Sequence, residues 1–226
     1  MSKQFSTLGL SAPILKALGE LNIVEPTEIQ QKTIPLLLSE IHDVVGLAKT
    51  GTGKTAAFGL PILQLVNSES TAVQAVILVP TRELGQQIFR NLEGFSKYIP
   101  SISIASICGG TPIKPQIERL KEGAQIVVAT PGRLIDLIQR KAIDLKQTEY
   151  LVLDEADEMV AILKESLDEI VAELPKKHRT LLFSATLPGT IKQLIQNYLN
   201  KNVVQVSANM ETVGNEGIDH EYIVVD

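Results

Sequence analysis

A glycine-rich octapeptide near the start of the chain has the residue types of a phosphate-binding loop. It lies between the apolar residues 44–47 and the helical pattern of residues 56–60, and it reads Ala48-Lys49-Thr50-Gly51-Thr52-Gly53-Lys54-Thr55. Glycines let successive backbone N–H groups converge on an anion, and the following helix N-terminus adds a partial positive charge. Lys54 can then reach the β- and γ-phosphates of a nucleotide, and the Thr55 hydroxyl can bind Mg²⁺.

A second signal comes from two acids at the end of another apolar run. Residues 150–153 lead directly into Asp154 and Glu155. A carboxylate at the end of a strand can hold Mg²⁺ through water, and its neighbour can orient or deprotonate an attacking water. Alone, the octapeptide could be an ordinary glycine-rich turn, since Ala48 replaces the first motif glycine, and Asp154 could merely cap a helix. Together they predict a nucleotide site.

Strand-like and helical patterns alternate along the rest of the chain. The strand-like runs cover residues 73–79, 102–107, 125–129, 150–153, 180–183 and 203–206. The helical patterns cover residues 11–21, 83–98, 113–121, 133–139, 162–174 and 190–199. This alternation predicts an α/β fold with a mostly parallel sheet and helices on both faces. Ligands of such sheets bind at the carboxyl ends of the strands, where the notable polar residues fall.

The composition of the chain disfavours several classes of protein but does not select one function. The 226 residues carry a formal net charge of −5, which disfavours coating nucleic acid by bulk attraction but permits a local site. One cysteine and three scattered histidines form no metal-ligand cluster, and no apolar run is long enough to span a membrane. The single Cys108 closes an apolar run, which favours a buried thiol and a reducing compartment, so a cytoplasmic location is expected.

The motifs, taken together, resemble one family. Asp154-Glu155-Ala156-Asp157 is the signature of the DEAD-box RNA helicases, and the chain resembles their N-terminal RecA-like domain. Five further family blocks occur in the family's order: Pro26-Thr27-Glu28-Ile29-Gln30, Pro80-Thr81-Arg82-Glu83-Leu84, Gly109-Gly110, Thr130-Pro131-Gly132-Arg133 and Ser184-Ala185-Thr186.

The resemblance implies an ATP or ADP site with Mg²⁺. Phe5 would stack on the adenine ring, and Gln30 would read its edge, because an amide donates and accepts at once. Thr27 would support the phosphate loop, although Thr27 and Gln30 are also spaced as a helix capping box. The loop residues implied to bind the nucleotide are Thr50, Gly51, Thr52, Gly53, Lys54 and Thr55. Lys54, Asp154 and Glu155 are implied as catalytic, with Thr55 and Asp154 as the metal ligands.

The resemblance also implies a sequence-nonspecific path for RNA. The residues assigned to it are Pro80, Thr81, Arg82, Gly109, Gly110, Thr130, Pro131, Gly132 and Arg133. Arginines bind phosphate and glycines admit close backbone approach, although either arginine alone could simply be solvated at a helix start. Ser184 and Thr186 would couple hydrolysis to strand separation through Asp157. Thr186 is alternatively the N-cap of the next helix. The basic run of residues 176–179 is interpreted as a solvated loop.

The domain prediction divides the chain into three parts. Residues 1–206 form the RecA-like domain, with residues 1–30 as its adenine-recognition extension. Residues 207–217 are predicted to be a linker, and residues 218–226 the start of a truncated second RecA-like domain. Three departures from the family pattern are Asn22 for glycine, Gly85 for alanine, and the absence of Gly-Phe from residues 159–163.

The resulting hypothesis is the ATP-binding domain of an ATP-dependent RNA helicase. The family completes its ATP site with arginines of a second domain, in a block that this chain lacks. The chain alone is therefore expected to be a monomer that binds adenine nucleotide, hydrolyses it poorly and does not unwind RNA. The alternatives are a nucleotide-gated platform for RNA or protein without turnover, and another phosphate-loop enzyme such as a DNA translocase or nucleotide kinase.

Overall fold

The computed structural model describes residues 4–39 and 42–208, except for the side chains of residues 161–165. A 3-10 turn, Phe5–Thr7, precedes the first α-helix. The helices are α1 Ala12–Glu20, α2 Glu28–Ser39, α3 Lys54–Leu65, α4 Arg82–Phe95, α5 Ile113–Lys121, α6 Pro131–Gln139, α7 Ala156–Ala172 and α8 Gly189–Tyr198. The strands are β1 Val44–Leu47, β2 Ala75–Leu78, β3 Ile104–Ile107, β4 Ile126–Ala129, β5 Tyr150–Leu153, β6 Arg179–Ser184 and β7 Val204–Ser207. Within these ranges, no helix is both long and apolar enough to cross a membrane.

The seven described strands form one sheet in the order β3-β4-β2-β5-β6-β1-β7, and every neighbouring pair is parallel. Side chains alternate between two hydrophobic clusters, one on each face. Helices α1–α4 contribute to the cluster around Phe58 and Phe183, whereas α6–α8 contribute to the cluster around Leu134 and Met159. The predicted α/β sheet with helices on both faces is therefore confirmed.

Parallel pairing brings the predicted site residues to one edge of the sheet. Strand β6 lies between β5 and β1, and Leu47 at the end of β1 is in register with Ser184 at the end of β6. The glycine-rich octapeptide of residues 48–55, here called the phosphate loop after its predicted role, leaves β1, and the acidic signature leaves β5 at the same end of the sheet. On the other side of β5, strands β2, β3 and β4 end at the same end of the sheet, and the blocks that begin at Pro80, Gly109 and Thr130 follow them there.

Most element boundaries differ from the sequence prediction by one to three residues, and two differences have a clear physical cause. Helix α7 begins at Ala156, well before the predicted start at residue 162, because no glycine or proline interrupts it and Asp157 and Glu158 favour its N-terminus. The solvated-loop interpretation is wrong for Arg179, which opens β6. Its guanidinium donates to the backbone oxygens of His42 and Leu37, because these groups lie beside the start of the strand.

Backbone conformation and packing explain two departures from the family pattern. Asn22 has φ 55°, in the left-handed region that asparagine tolerates better than most residues. At Gly85, a Cβ atom would lie 2.6 Å from the Sγ atom of Cys108 and 3.2 Å from Val79. Cys108 is buried, as predicted, and burial raises the pKa of its thiol. Because glycine has no Cβ atom, α4 can pack closely against the Cys108 side chain at the end of β3.

Candidate functional site

The phosphate loop has a backbone shape that glycine makes accessible. Gly51 and Gly53 have φ values of 83° and 88°, which strain any residue with a Cβ atom. Gly53 is the N-cap of α3, and no side chain caps this helix end. The N–H groups of the first turn are therefore presented to the loop, and with the helix dipole they suit a bound anion.

Helix α2 supports the loop through one side chain. The Nε2 atom of Gln30 donates to the Gly53 carbonyl oxygen at 3.0 Å, and its Oε1 atom accepts the Thr27 backbone N–H at 2.9 Å. A Cβ atom on Gly53 would lie 2.2 Å from Gln30 Nε2 and 3.4 Å from Thr27 Oγ1. The structure thus brings Gln30 and Thr27 against the phosphate loop, and the capping-box contact from Gln30 to Thr27 is also present.

A buried ion pair joins the loop to the acidic strand end. Lys54 Nζ lies 2.8 Å from Glu155 Oε2, and the two side chains are 4% and 6% exposed. The Thr50 hydroxyl donates to the other carboxylate oxygen of Glu155 at 3.1 Å. Glu155 has φ 51° and ψ 50°, a left-handed conformation that costs a non-glycine residue about 1–2 kcal/mol. Such strain persists where surrounding contacts hold the residue. Here the contacts of the Glu155 carboxylate with Lys54 and Thr50 hold it.

Asp154, the residue before Glu155, is 2% exposed. Burial raises the pKa of its carboxyl to about 7, the charge of Lys54 opposes that rise, and the charge of Glu155 adds to it. Its Oδ1 atom accepts the backbone N–H of Glu155 at 3.1 Å. Glu155, and not Asp154, is the N-cap of α7, so the capping interpretation of Asp154 is wrong. Its buried carboxyl is close enough to Lys54 for the two charges to interact.

The third acid of the signature reaches the loop after β6. Asp157 Oδ2 accepts hydrogen bonds from the Thr186 backbone N–H at 3.1 Å and the Thr186 hydroxyl at 2.7 Å. Ser184 donates its hydroxyl proton to the Thr186 carbonyl oxygen. Burial tends to raise the pKa of Asp157, but hydrogen bonds, with those from Thr186 first among them, outweigh it and lower the pKa. Thr186 as a helix N-cap is wrong, because α8 begins at Gly189 and its N-cap is Pro188.

Two arginines, Arg82 in α4 and Arg133 in α6, bind the segment that follows β3. Arg82 Nη1 donates to the Gly110 carbonyl oxygen at 3.1 Å. Arg133 donates to Gln116 Oε1 at 2.9 Å and to the Thr111 carbonyl oxygen at 3.0 Å. Neither arginine is simply solvated at a helix start, since each holds the loop after β3.

Threonines stand at the N-cap positions of the two helices that carry these arginines, and only the first caps its helix with its side chain. Thr81 is the N-cap of α4, and its hydroxyl oxygen accepts the Leu84 N–H. Thr130 is the N-cap of α6, with Pro131 at the first helical position, and its hydroxyl oxygen accepts the Gly109 N–H at 3.1 Å. These contacts assemble one surface, here called the three-loop surface, from Pro80, Thr81, Arg82, Gly109, Gly110, Thr130, Pro131, Gly132 and Arg133.

Comparison with known families decides what this arrangement belongs to. The family model described as DEAD/DEAH box helicase matches residues 27–194, a span that includes the phosphate loop, the acidic signature and the three-loop surface. The chain belongs to this family. Membership confirms the resemblance drawn from the motifs.

Individual relatives agree with that membership. The chain is 45% identical over 224 residues to DEAD-box ATP-dependent RNA helicase CshA of Streptococcus pneumoniae, covering 98% of this chain and 42% of CshA. It is 42% identical to ATP-dependent RNA helicase DeaD of Escherichia coli, covering 92% of this chain and 33% of DeaD. The crystal structure of a DEAD box protein from Methanococcus jannaschii matches with a TM-score of 0.87 at 40% identity, covering 93% of this chain and 57% of that one. The chain therefore spans about two fifths or less of these curated relatives.

Several residues at this site of the DEAD/DEAH box chain make contacts that the sequence analysis did not predict. Phe5 is 4% exposed and packs into the hydrophobic cluster of its face, so its adenine-stacking role stays a prediction. The Thr52 hydroxyl turns back to the Lys49 carbonyl oxygen at 2.6 Å. Thr111 and Gln116, which hold Arg133, were not anticipated, because no sequence pattern marks them.

Proposed function

We propose that this chain is the N-terminal ATP-binding domain of an ATP-dependent RNA helicase, formed by residues 1–206. The observation that carries the proposal is the buried Lys54–Glu155 pair, which joins a phosphate loop to the acidic signature. The names of CshA and DeaD as ATP-dependent RNA helicases support it. The linker of residues 207–217 and the second domain from residue 218 stay predictions. Ser207 ends β7, and residues 209–226 lie outside the described residues.

The phosphate chemistry follows from an exchange of partners at Lys54. The loop N–H groups and the Lys54 ammonium bind the β- and γ-phosphates of ATP. When Lys54 turns to the phosphates, Glu155 loses its ionic partner and its carboxylate is available to orient or deprotonate the attacking water. Mg²⁺ would neutralise phosphate charge, and the Thr55 hydroxyl and the buried Asp154 carboxylate supply the hard oxygen donors that it requires.

Adenine selection is proposed for Gln30 and Phe5. The Gln30 amide uses one N–H and one lone pair on Gly53 and Thr27, which leaves one donor and one acceptor site for the adenine edge. Because those same contacts hold the phosphate loop, the base and the phosphates are bound by one connected unit. Phe5 stacks on the ring once its side chain is turned toward it.

RNA binding is proposed for the three-loop surface. Its arginines and helix N-termini suit the sugar–phosphate backbone, so binding does not depend on base sequence. The Asp157–Thr186 contact couples this surface to the nucleotide site. The second RecA-like domain of the full-length protein completes both sites. The isolated chain is proposed to be a monomer, and its cytoplasmic location rests on the single Cys108.

Turnover by the isolated chain tests whether it holds only half of the ATP site. We expect negligible ATP hydrolysis, unchanged by single-stranded RNA, because an arginine supplied from outside the site is typically worth about 10³–10⁵ in rate. Phosphate release is measured with and without RNA, beside a Glu155→Gln variant that sets the background. RNA-stimulated turnover that Glu155→Gln abolishes would show that the chain completes the site by itself and would overturn the half-site proposal.

A further inference from the structure

A cavity of about 410 Å³ opens beside β3, the edge strand of the sheet. Helix α4 forms one wall and the start of α5 forms the other. The lining side chains that matter here are Arg82, Gln86, Phe89, Arg90, Ser106 and Gln116. None of the described residues that line it is acidic. The volume is within the range of small-ligand sites, and the charge of the lining favours an anionic occupant.

The cavity is continuous with the three-loop surface. Arg82 belongs to both, since it lines the cavity and its guanidinium donates to the Gly110 carbonyl oxygen. Gln116 links them a second time, because it lines the cavity and accepts a hydrogen bond from Arg133. A strand of RNA bound along the three-loop surface therefore passes the mouth of the cavity.

The lining has the chemistry that holds an unstacked nucleotide. Phe89 packs against the hydrophobic cluster of helices α1–α4, is half-buried and also lines the cavity, so it brings to the cavity wall an aromatic side chain of the kind on which any base can stack. Arg90 is exposed at the rim, where its guanidinium can bind a phosphate. The hydroxyl of Ser106 and the amide of Gln86 can hydrogen-bond to base edges or to a ribose 2′-hydroxyl.

We propose that this cavity is a further RNA subsite, which takes one nucleotide turned out of the strand that lies on the three-loop surface. Its base stacks on Phe89 and its phosphate binds Arg90. The proposal rests on the proposed RNA binding and extends it beyond the motif residues. Occupancy lengthens the footprint of the RNA on this domain by one nucleotide and adds affinity without base selectivity.

A peptide added as an extra strand beside β3 fits the observations less well. Such a peptide needs the outward carbonyl groups of the edge strand. Arg119 Nη2 already donates to the Ile104 carbonyl oxygen at 3.0 Å, and Gln116 Nε2 to that of Cys108 at 3.0 Å. The outward carbonyl groups at both ends of β3 are therefore already bonded. The cavity between them has room for one nucleotide but leaves no free strand edge for a peptide.

The test measures the affinity of the 226-residue chain for labelled single-stranded oligouridylates of increasing length, by fluorescence anisotropy. Phe89→Leu keeps an apolar side chain but removes the ring, and Arg90→Gln removes the rim cation. Phe89→Leu should weaken binding of the longer oligonucleotides about tenfold and leave the shortest that binds unchanged. Arg90→Gln should lower the slope of log affinity against log salt by about 0.7, the value for one phosphate of a single strand.

Arg140→Gln is the matched control, because this exposed arginine lies at the far end of α6 and pairs with Asp136. It should bind RNA as the unaltered chain does. Photocrosslinking of RNA that contains 4-thiouridine supplies a second readout, and the crosslinked peptide should include residues 86–90. Thermal unfolding of Phe89→Leu shows whether a loss of binding reflects a loss of folding.

The outcomes distinguish a failure of the proposed subsite from a failure of the proposed RNA binding by the whole domain. If the chain binds RNA but both variants match it at every length and no crosslink maps to residues 86–90, the subsite is wrong and RNA binding by the domain stands. If the chain binds no RNA at any length, both are overturned. If polyglutamate binds the chain and Arg90→Gln abolishes that binding while RNA affinity is unchanged, the cavity is a docking site for acidic protein and the RNA subsite is wrong.

Discussion

Replacing Lys54 by alanine should weaken ATP binding by this chain about a hundredfold. A hydrogen bond to a charged group is typically worth about 1.5–3 kcal/mol, and Lys54 is the buried cation of the phosphate loop. The substitution also leaves the Glu155 carboxylate without its partner and close to the incoming phosphates, so that charge repulsion adds to the loss. Calorimetric titration of the chain with ATP and Mg²⁺ measures the change.

Lys49→Ala provides the matched control for this prediction. Lys49 is exposed in the same loop, five residues before Lys54, and removing it changes the net charge by the same amount. Its affinity for ATP should stay close to that of the unaltered chain, because an exposed cation is screened by water and salt. Equal losses in the two variants would mean that ATP responds to general charge, and the assignment of Lys54 would be wrong.

The second large effect concerns the stability of the chain without nucleotide. Lys54→Met should destabilise the fold by about 3 kcal/mol, because it leaves a buried carboxylate unpaired in a site that is nearly closed to water. Glu155→Gln should also destabilise it, although the bond from Thr50 can still be accepted by the amide oxygen. The double variant Lys54→Met/Glu155→Gln should recover part of the loss, because the Glu155 charge is gone and the raised pKa of Asp154, about 7, lets that buried carboxyl bind a proton.

Urea unfolding of the four proteins gives the coupling free energy between the two side chains. We expect it to exceed about 1 kcal/mol, as found for groups in direct contact. Single losses that simply add in the double variant would show that Lys54 and Glu155 do not depend on one another. The partner exchange proposed for the hydrolytic step would then lack its starting state.

The sequence predicted the elements well because their signals are local. The run of residues 150–153 coincides with β5, and the pattern of residues 113–121 coincides with α5. Hydrophobic periodicity and the positions of glycines can be recognised within a few residues, and all the residue types that predict the phosphate loop lie in one octapeptide. Family membership, shown by the comparisons, agrees with the order of these blocks.

The partners of the site residues were harder to predict, because they depend on contacts between distant segments. Lys54 meets Glu155 across 101 residues of sequence, and only the order β5-β6-β1 brings them together. Thr186 matched a local capping rule, but Asp157, 29 residues away, binds its hydroxyl instead. The cavity beside β3 has no sequence signature at all, since α4, β3 and α5 create it by packing.

The most direct test of the central claim is a pair of calorimetric titrations, with ADP and with GDP, each with Mg²⁺, into the unaltered chain. The account predicts that ADP binds and that GDP binds far more weakly, because the free donor and acceptor of Gln30 match the adenine edge. Measurable ADP binding with this selectivity would support an adenine-nucleotide site built by Gln30 and the phosphate loop. Absence of ADP binding, or equal binding of both nucleotides, would contradict it.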